Sequence, residues 1–533
     1  METIANSGNA HTGEAPQGYQ LSRRHLLAMT AGAAGAFALG GHYALAQDAT
    51  PVRGGTVRGA VALPITSLDP YTSKAASGDF IAYRAIYNNL IEVSGESEFV
   101  PELASEWTIS EDGLTYTFTI VEGVTFHDGT TLDAAAIKFN IERYIGEDST
   151  FNGAGKLRVI ETVDAPDATT LVLNLSRPSA PLMDTLTTCH IVSPTAVEEM
   201  GEDLSLHGVG SGPFKVESWE PGSLAVFVRN EDYWEIAPDG EPFPYLDQYE
   251  IEGVPDDSVR LLNLRSGQFQ ILERVNPRDI ASVQADPNVV LVETPHAVPN
   301  LVAMNPNIAP FDNKALRQAV SHALDRQAIV DNISFGTGYT VPLPFPKGSW
   351  FYIDEPAPVY DPEQAKALLA EAGYPDGIEV TMTHINRTID TQIAQIMKAQ
   401  LEEVGITMTI ESLERTTWVD LWAAGEGQLG LLQGAMTPTD PDRESGIFQK
   451  DSLNNWTDYN NEDIQRLIDE ANSVTDREQR LAKWREIAAL VVDDAVYVYI
   501  GAIPTIAGVS ASVRDLEFVS GMYWENTQTW VEE

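Results

Sequence analysis

The sequence predicts an α/β protein of two lobes, on three grounds. At 533 residues the chain exceeds what one hydrophobic core ordinarily serves. Short runs of period-two alternation in the first half mark half-buried strands. In the second half helix, glycine and strand recur in that order, which marks αβ units in a mostly parallel sheet.

The chain begins with an address. Ser22-Arg23-Arg24-His25-Leu26-Leu27 leads into a weakly apolar Ala/Gly/Leu run that ends at Ala44-Leu45-Ala46, a small-x-small cleavage pattern. The paired arginines resemble a twin-arginine export signal. Gly32, Gly35, Gly40, Gly41 and His42 make a poor membrane span. Residues 1–46 are therefore expected to be a removable signal peptide. With no cysteine at the cleavage point, the expected product is a soluble, non-lipidated protein of the periplasm. No later segment reaches eighteen uninterrupted apolar residues.

Alternating strands are expected at TYTFTI (115–120), TLVLNL (170–175) and LAVFVR (224–229). Between the first two, DAAAIKFNIERYI sets Ile137, Ile141, Tyr144 and Ile145 at helical spacing. The stretch 314–328 carries Leu316, Val320, Ala323 and Leu324 on one stripe and predicts a single helix. In YDPEQAKALLAEAGYPDG, Asp361 is placed to cap a helix with Pro362 in its first turn, and Gly373 to end it. A strand at 378–383, a helix over 393–405 and a strand from Ile406 follow.

Lys+Arg number 33 against 78 Asp+Glu, a formal charge of −45. Such a surface repels phosphate backbones and anionic membranes, which argues against a nucleic-acid partner. The acids are dispersed, as on a solvated, salt-tolerant surface. Cys189 is the only cysteine, so neither an intrachain disulfide nor a thiolate zinc cluster can form. The motifs H-E-x-x-H, G-x-S-x-G and G-x-x-x-x-G-K-[ST] are all missing, and the nine histidines are scattered. No cofactor, metal or catalytic residue is expected.

PELASEWTISEDGLTYTFTIVEGVTFHDGTTLDA (101–134) resembles the signature region of family 5 extracellular solute-binding proteins. These are the peptide-, nickel- and oligosaccharide-binding components of bacterial ABC importers. Further landmarks follow in the family's order: Leu68-Asp69-Pro70, Gly210-Ser211-Gly212-Pro213-Phe214, Arg229 through Trp234, Leu264-Arg265-Ser266-Gly267, Pro310-Phe311-Asp312, Leu324-Asp325-Arg326, Ala372-Gly373-Tyr374-Pro375 and Asp440-Pro441-Asp442. The chain departs from the pattern at Val121 and Glu122, where the family's strand usually ends in basic residues. The resemblance implies a two-lobed periplasmic-binding-protein fold with an extra subdomain. Lobe 1 would comprise 47–297 plus 501–533, with an insertion near 85–209, and lobe 2 would comprise 298–500. Segments 296–305 and 495–504 would be the two crossing strands. Such a protein acts as a monomeric receptor that shuts on a small solute (oligopeptide, oligosaccharide or similar) and hands it to permease subunits. An exported hydrolase, or a sensor with no transport role, is the alternative.

The turn GAMTPTDPDRES (434–445) brings Asp440, Asp442 and Glu444 together. As a calcium loop it fails, because Ser445 stands at the obligatory glycine and Asp451 at the bidentate glutamate. By resemblance it is cleft lining. The position where peptide-binding relatives place an aspartate against the ligand's α-ammonium is Thr437, which offers no charge-assisted bond. The usual tryptophan is Gly434. Asp440 could compensate for that loss. Trp418 and Trp422, one helical turn apart, either pack in the core or form an aromatic platform for a sugar or apolar group. Arg387, after a strand, could meet an anionic ligand group or lie at the surface. Tyr71 could line the lobe-1 wall.

Overall fold

The computed structural model describes residues 50–532 apart from 73–76, 95–97, 148, 152, 342, 344, 346, 348, 354–357, 435–439, 451, 453 and 521–522. The chain divides into Met1–Gly41, outside the described residues together with the expected signal peptide, and His42–Glu533.

Ten strands form one sheet in the order Ile406–Leu413, Ile378–Ile385, Leu429–Gln433, Val289–Met304, Tyr497–Ser510, Ile271–Leu272, Thr56–Val61, Gln248–Gly253, Ala225–Arg229 and Phe214–Ser218. The sheet is mixed, where a mostly parallel one was expected. Strands linked by αβ units run parallel on both flanks. The long central pair and the 214–229 hairpin run antiparallel.

That central pair covers both expected crossing segments. Its first part pairs Val289–Glu293 with 506–510, beside the flank that holds Ile271–Leu272. Its last part pairs Asn300–Ala303 with 497–501, beside Leu429–Gln433. The register breaks between Glu293 and Ala297, where the strands pass from one flank to the other. Extra residues in one strand bend and twist a ladder, so the bend falls between the two parts of the pair.

A separate four-stranded antiparallel sheet, ordered Ala104–Ile109, Thr115–Ile120, Thr170–Leu175, Ile160–Asp167, packs on the helix Ala134–Ile145. Its strands keep the expected alternation: Tyr116, Phe118 and Ile120 face the core, as do Leu171, Leu173 and Leu175. Their cluster draws only on residues between Leu90 and Ile191 and shares no member with the clusters of the 298–500 segment.

Local signals hold well in the second half. Asp361 caps Pro362–Glu371 by accepting the Gln364 N–H, and Gly373 leaves the helix with φ +96°. The stretch 314–328 is two helices, Lys314–Ala323 and Arg326–Ser334, not one. Leu324 is extended, and the Asp325 carboxylate accepts the Ala328 N–H at 3.0 Å. A local aspartate cap competes successfully with helix continuation there.

Candidate ligand site

The parallel strands Ile378–Ile385 and Leu429–Gln433 end side by side, and in α/β sheets ligands collect beyond such carboxyl ends. Arg387 stands at this edge, at the start of the helix Thr388–Glu403. Its guanidinium pairs with Asp390 at 2.6 Å and donates to Gln433 Oε1, the last side chain before segment 434–439. Burial pushes the Asp390 carboxyl up, against the pull of Arg387. Gln433 in turn reaches Asn300 on the central strand at 3.4 Å. One third of the Arg387 side chain stays exposed, with the guanidinium braced by Asp390 and Gln433.

Trp418 and Trp422 lie in the core. Both are 2% exposed, stacked at 5.5 Å between ring centroids, with Trp456 edge-on to Trp418. Their indole N–H groups donate to Thr383, Trp422 to its hydroxyl at 3.1 Å. A Cβ at Gly427 or Gly430 would meet the Trp422 ring at 2.3 or 2.4 Å. The two glycines are the hollow that the indole fills, which leaves no face for a platform.

Asp440 is not open either. It caps the helix Pro441–Ser445 by accepting the Asp442 N–H and makes a bidentate pair with Arg480, both side chains 4% exposed. Asp442 accepts from Lys156 at 2.7 Å, Asn472 at 2.6 Å and Gln449 at 2.9 Å. Burial alone would raise the Asp442 carboxyl, but Lys156, Asn472 and Arg480 hold it below its ordinary value. Thr437 lies outside the described residues. Tyr71 packs under Arg143, whose guanidinium sits 4.3 Å from the ring centroid and pairs with Asp69 at 2.6 Å.

Two groupings had no sequence signal. In one, Arg84 meets Glu92 at 3.2 Å and Glu525 at 3.8 Å. Beside them Glu102 accepts from the Asn88 side chain and the Asn89 N–H, both at 2.8 Å. Burial and then Glu92 hold the Glu102 carboxyl well above the usual range. The Asn89 side chain, which donates to Glu92 at 2.7 Å, keeps its Oδ1 without a partner. The other lies where Asp184 of the helix Pro181–Leu186 faces Asp440, Asp442, Arg443 and Lys156. Burial raises the Asp184 carboxyl to about 6. Arg443 also acts on Tyr523, whose phenol burial pushes to about 12. Neither grouping follows a motif spacing: Glu525 joins the first from the far end of the chain, and the second unites Lys156 and Asp184 with 440–443.

Among the described residues no three His, Cys, Asp or Glu side chains are grouped to hold a metal ion, and no helix is long and apolar enough to cross a membrane.

The family model for bacterial extracellular solute-binding proteins, family 5 Middle, matches residues 98–456. Glutathione-binding protein GsiB of Salmonella paratyphi A is 31% identical over 362 residues, 67% of this chain and 69% of that protein. Its counterpart in Pectobacterium atrosepticum is 25% identical over 456 residues, 83% and 87% of the two chains. Among solved structures, the periplasmic binding protein DppA of Helicobacter pylori, in complex with the peptide STSA, superposes with a TM-score of 0.77 at 25% identity. That match covers 90% of this chain and 99% of DppA. The substrate-binding protein CtaP of Listeria monocytogenes reaches 0.81 at 22% identity, covering 90% and 100%.

Proposed function

Since the chain belongs to the family 5 extracellular solute-binding proteins, the two-lobed substrate-binding components of ABC importers, we propose that its solute is a small anionic peptide of glutathione's kind. The solute is taken up in the periplasm between lobe 1 (47–297 plus 501–533) and lobe 2 (298–500) and released unaltered to the permease. Residues 1–46 direct export and are removed. Closure needs a ligand that touches both lobes when they are shut, since only differential affinity shifts such an equilibrium.

The observation that carries the ligand class is the Arg387 guanidinium at the strand ends, held by Asp390 and Gln433 with one third of its side chain exposed. A planar fork of this kind suits a carboxylate. Thr437 supports the same choice. A γ-linked peptide carries its ammonium beside a carboxylate on a branch, not at the head of the backbone, so it does not call for the missing aspartate.

A thermal-shift screen of the purified protein against glutathione, unmodified tripeptides, oligosaccharides and nickel–histidine tests this. A ligand at 100 times its Kd stabilises by about 2.7 kcal/mol. Glutathione should produce the largest shift, and Arg387→Lys, which keeps a cation for Asp390 but loses the fork, should remove most of it. Oligosaccharides shifting while peptides do not would overturn the peptide class. An unchanged glutathione response in Arg387→Lys would overturn the role of Arg387.

A further inference from the structure

Among the described residues, three polar contacts join the inserted subdomain to the 442–477 region. Lys156, at the end of the short helix Ala154–Leu157, reaches Asp442 at 2.7 Å. The Ala180 N–H donates to the Asn472 carbonyl at 2.8 Å. Glu98 pairs with Arg477. Among the described residues no hydrophobic cluster spans this seam, since the subdomain's core and the cores of the 298–500 segment share no residue.

A polar seam without an apolar core separates readily, as interfaces between mobile domains do. Yet its centre is desolvated: Asp442 is 4% exposed, and Asp184 is 3% exposed with Oδ1 lacking a partner. Asp442 is also only three residues beyond the end of segment 435–439, with the capping residue Asp440 between them. A group that grips Asp442 from the other lobe therefore holds the helix Pro441–Ser445 that Asp440 caps.

We propose that Lys156, acting through Asp442, is a ligand-independent closure contact that sets how much of the unliganded protein is shut. It is a positioning residue. In the open form Lys156 and Asp442 each face water. In the shut form, among the described residues, the lysine is the subdomain's one cation within bonding distance of Asp442, while Asp440 is already held by Arg480. The apparent affinity for any solute then scales with the fraction of binding-competent protein. This rests on the hinge reading given above.

The test uses the full chain with one labelled cysteine on the exposed surface of each lobe and no ligand, observed by single-molecule energy transfer. Cys189 is buried and does not compete for label. The wild type should interconvert between shut and open populations. Lys156→Met should lower the shut-to-open ratio by up to about fivefold, the range of a part-exposed pair. Lys156→Glu, facing Asp442 with like charge, should lower it further, and Lys156→Arg should restore it. Two populations that do not respond to Lys156→Glu would overturn the closure contact and leave the hinge standing. One fixed distribution in the wild type and every variant would overturn the hinge itself.

Discussion

Arg480→Met separates a structural role for the 440–445 turn from a ligand-facing one. The guanidinium makes two bonds to Asp440 and one to the Ala471 carbonyl at 3.1 Å, and it stands 5.7 Å from the Trp350 ring centroid. Methionine keeps the stem's packing and removes the charge. Among the described residues, Asp440 is then a buried carboxylate with the Asp442 N–H as its remaining bonded donor. Removing one member of a buried pair costs about 3–5 kcal/mol, more than the net worth of the pair, because the other charge stays desolvated. For a lobe of about 200 residues each kcal/mol moves Tm by roughly 2–4 °C, so the lobe-2 transition should fall by roughly 6–20 °C. Differential scanning calorimetry on wild type, Arg480→Met and the double variant with Asp440→Asn measures it. The double variant should recover most of the loss, since neutralising both partners leaves no orphaned charge. A fall below about 2 °C in Arg480→Met would refute the reasoning and return Asp440 to the ligand-facing candidates.

Stability should decline on acidification. Burial depresses His127 to about 4 and His190 to about 3, so below pH 6.5 the unfolded chain binds protons that the native protein refuses. From pH 6.5 to 5 the pair removes about 3 kcal/mol, the slope for each histidine rising from half to nearly all of about 1.4 kcal/mol per unit. Asp184, raised to about 6, and the raised carboxyls of Glu102 and Asp390 work in the opposite sense and offset part of this. Urea midpoints that are equal at pH 7 and pH 5 would contradict the sign. In the core, Gly430→Ala drives a methyl to 2.4 Å from the Trp422 ring and should cost about 1–3 kcal/mol through overpacking. An unchanged urea midpoint would mean that the indole has room to move.

Period-two alternation was enough to place TYTFTI and TLVLNL to the residue, because each strand has one face on a core and one in water. Asp361, Pro362 and Gly373 marked a helix because capping and φ preference act over four residues. The break at Leu324 was hidden, since a hydrophobic stripe continues across it while one aspartate cap ends the helix. The mixed sheet was hidden as well: the pairing of 289–304 with 497–510 is decided two hundred residues away. At the site, the sequence marked Arg387 by its place after a strand, and the structure adds the Asp390 and Gln433 braces. It could not tell a stacked core pair from a platform at Trp418 and Trp422, because helical spacing is the same for both. Lys156 and Asp184 carry no motif at all, and only the chain's return at 442–480 gives them partners.

Small-angle X-ray scattering of the mature protein, with and without saturating glutathione, tests the central claim most directly. The account predicts a smaller radius of gyration and a lost inter-lobe shoulder in the distance distribution when glutathione is present. Superimposable profiles, under conditions where calorimetry shows the ligand bound, would contradict it.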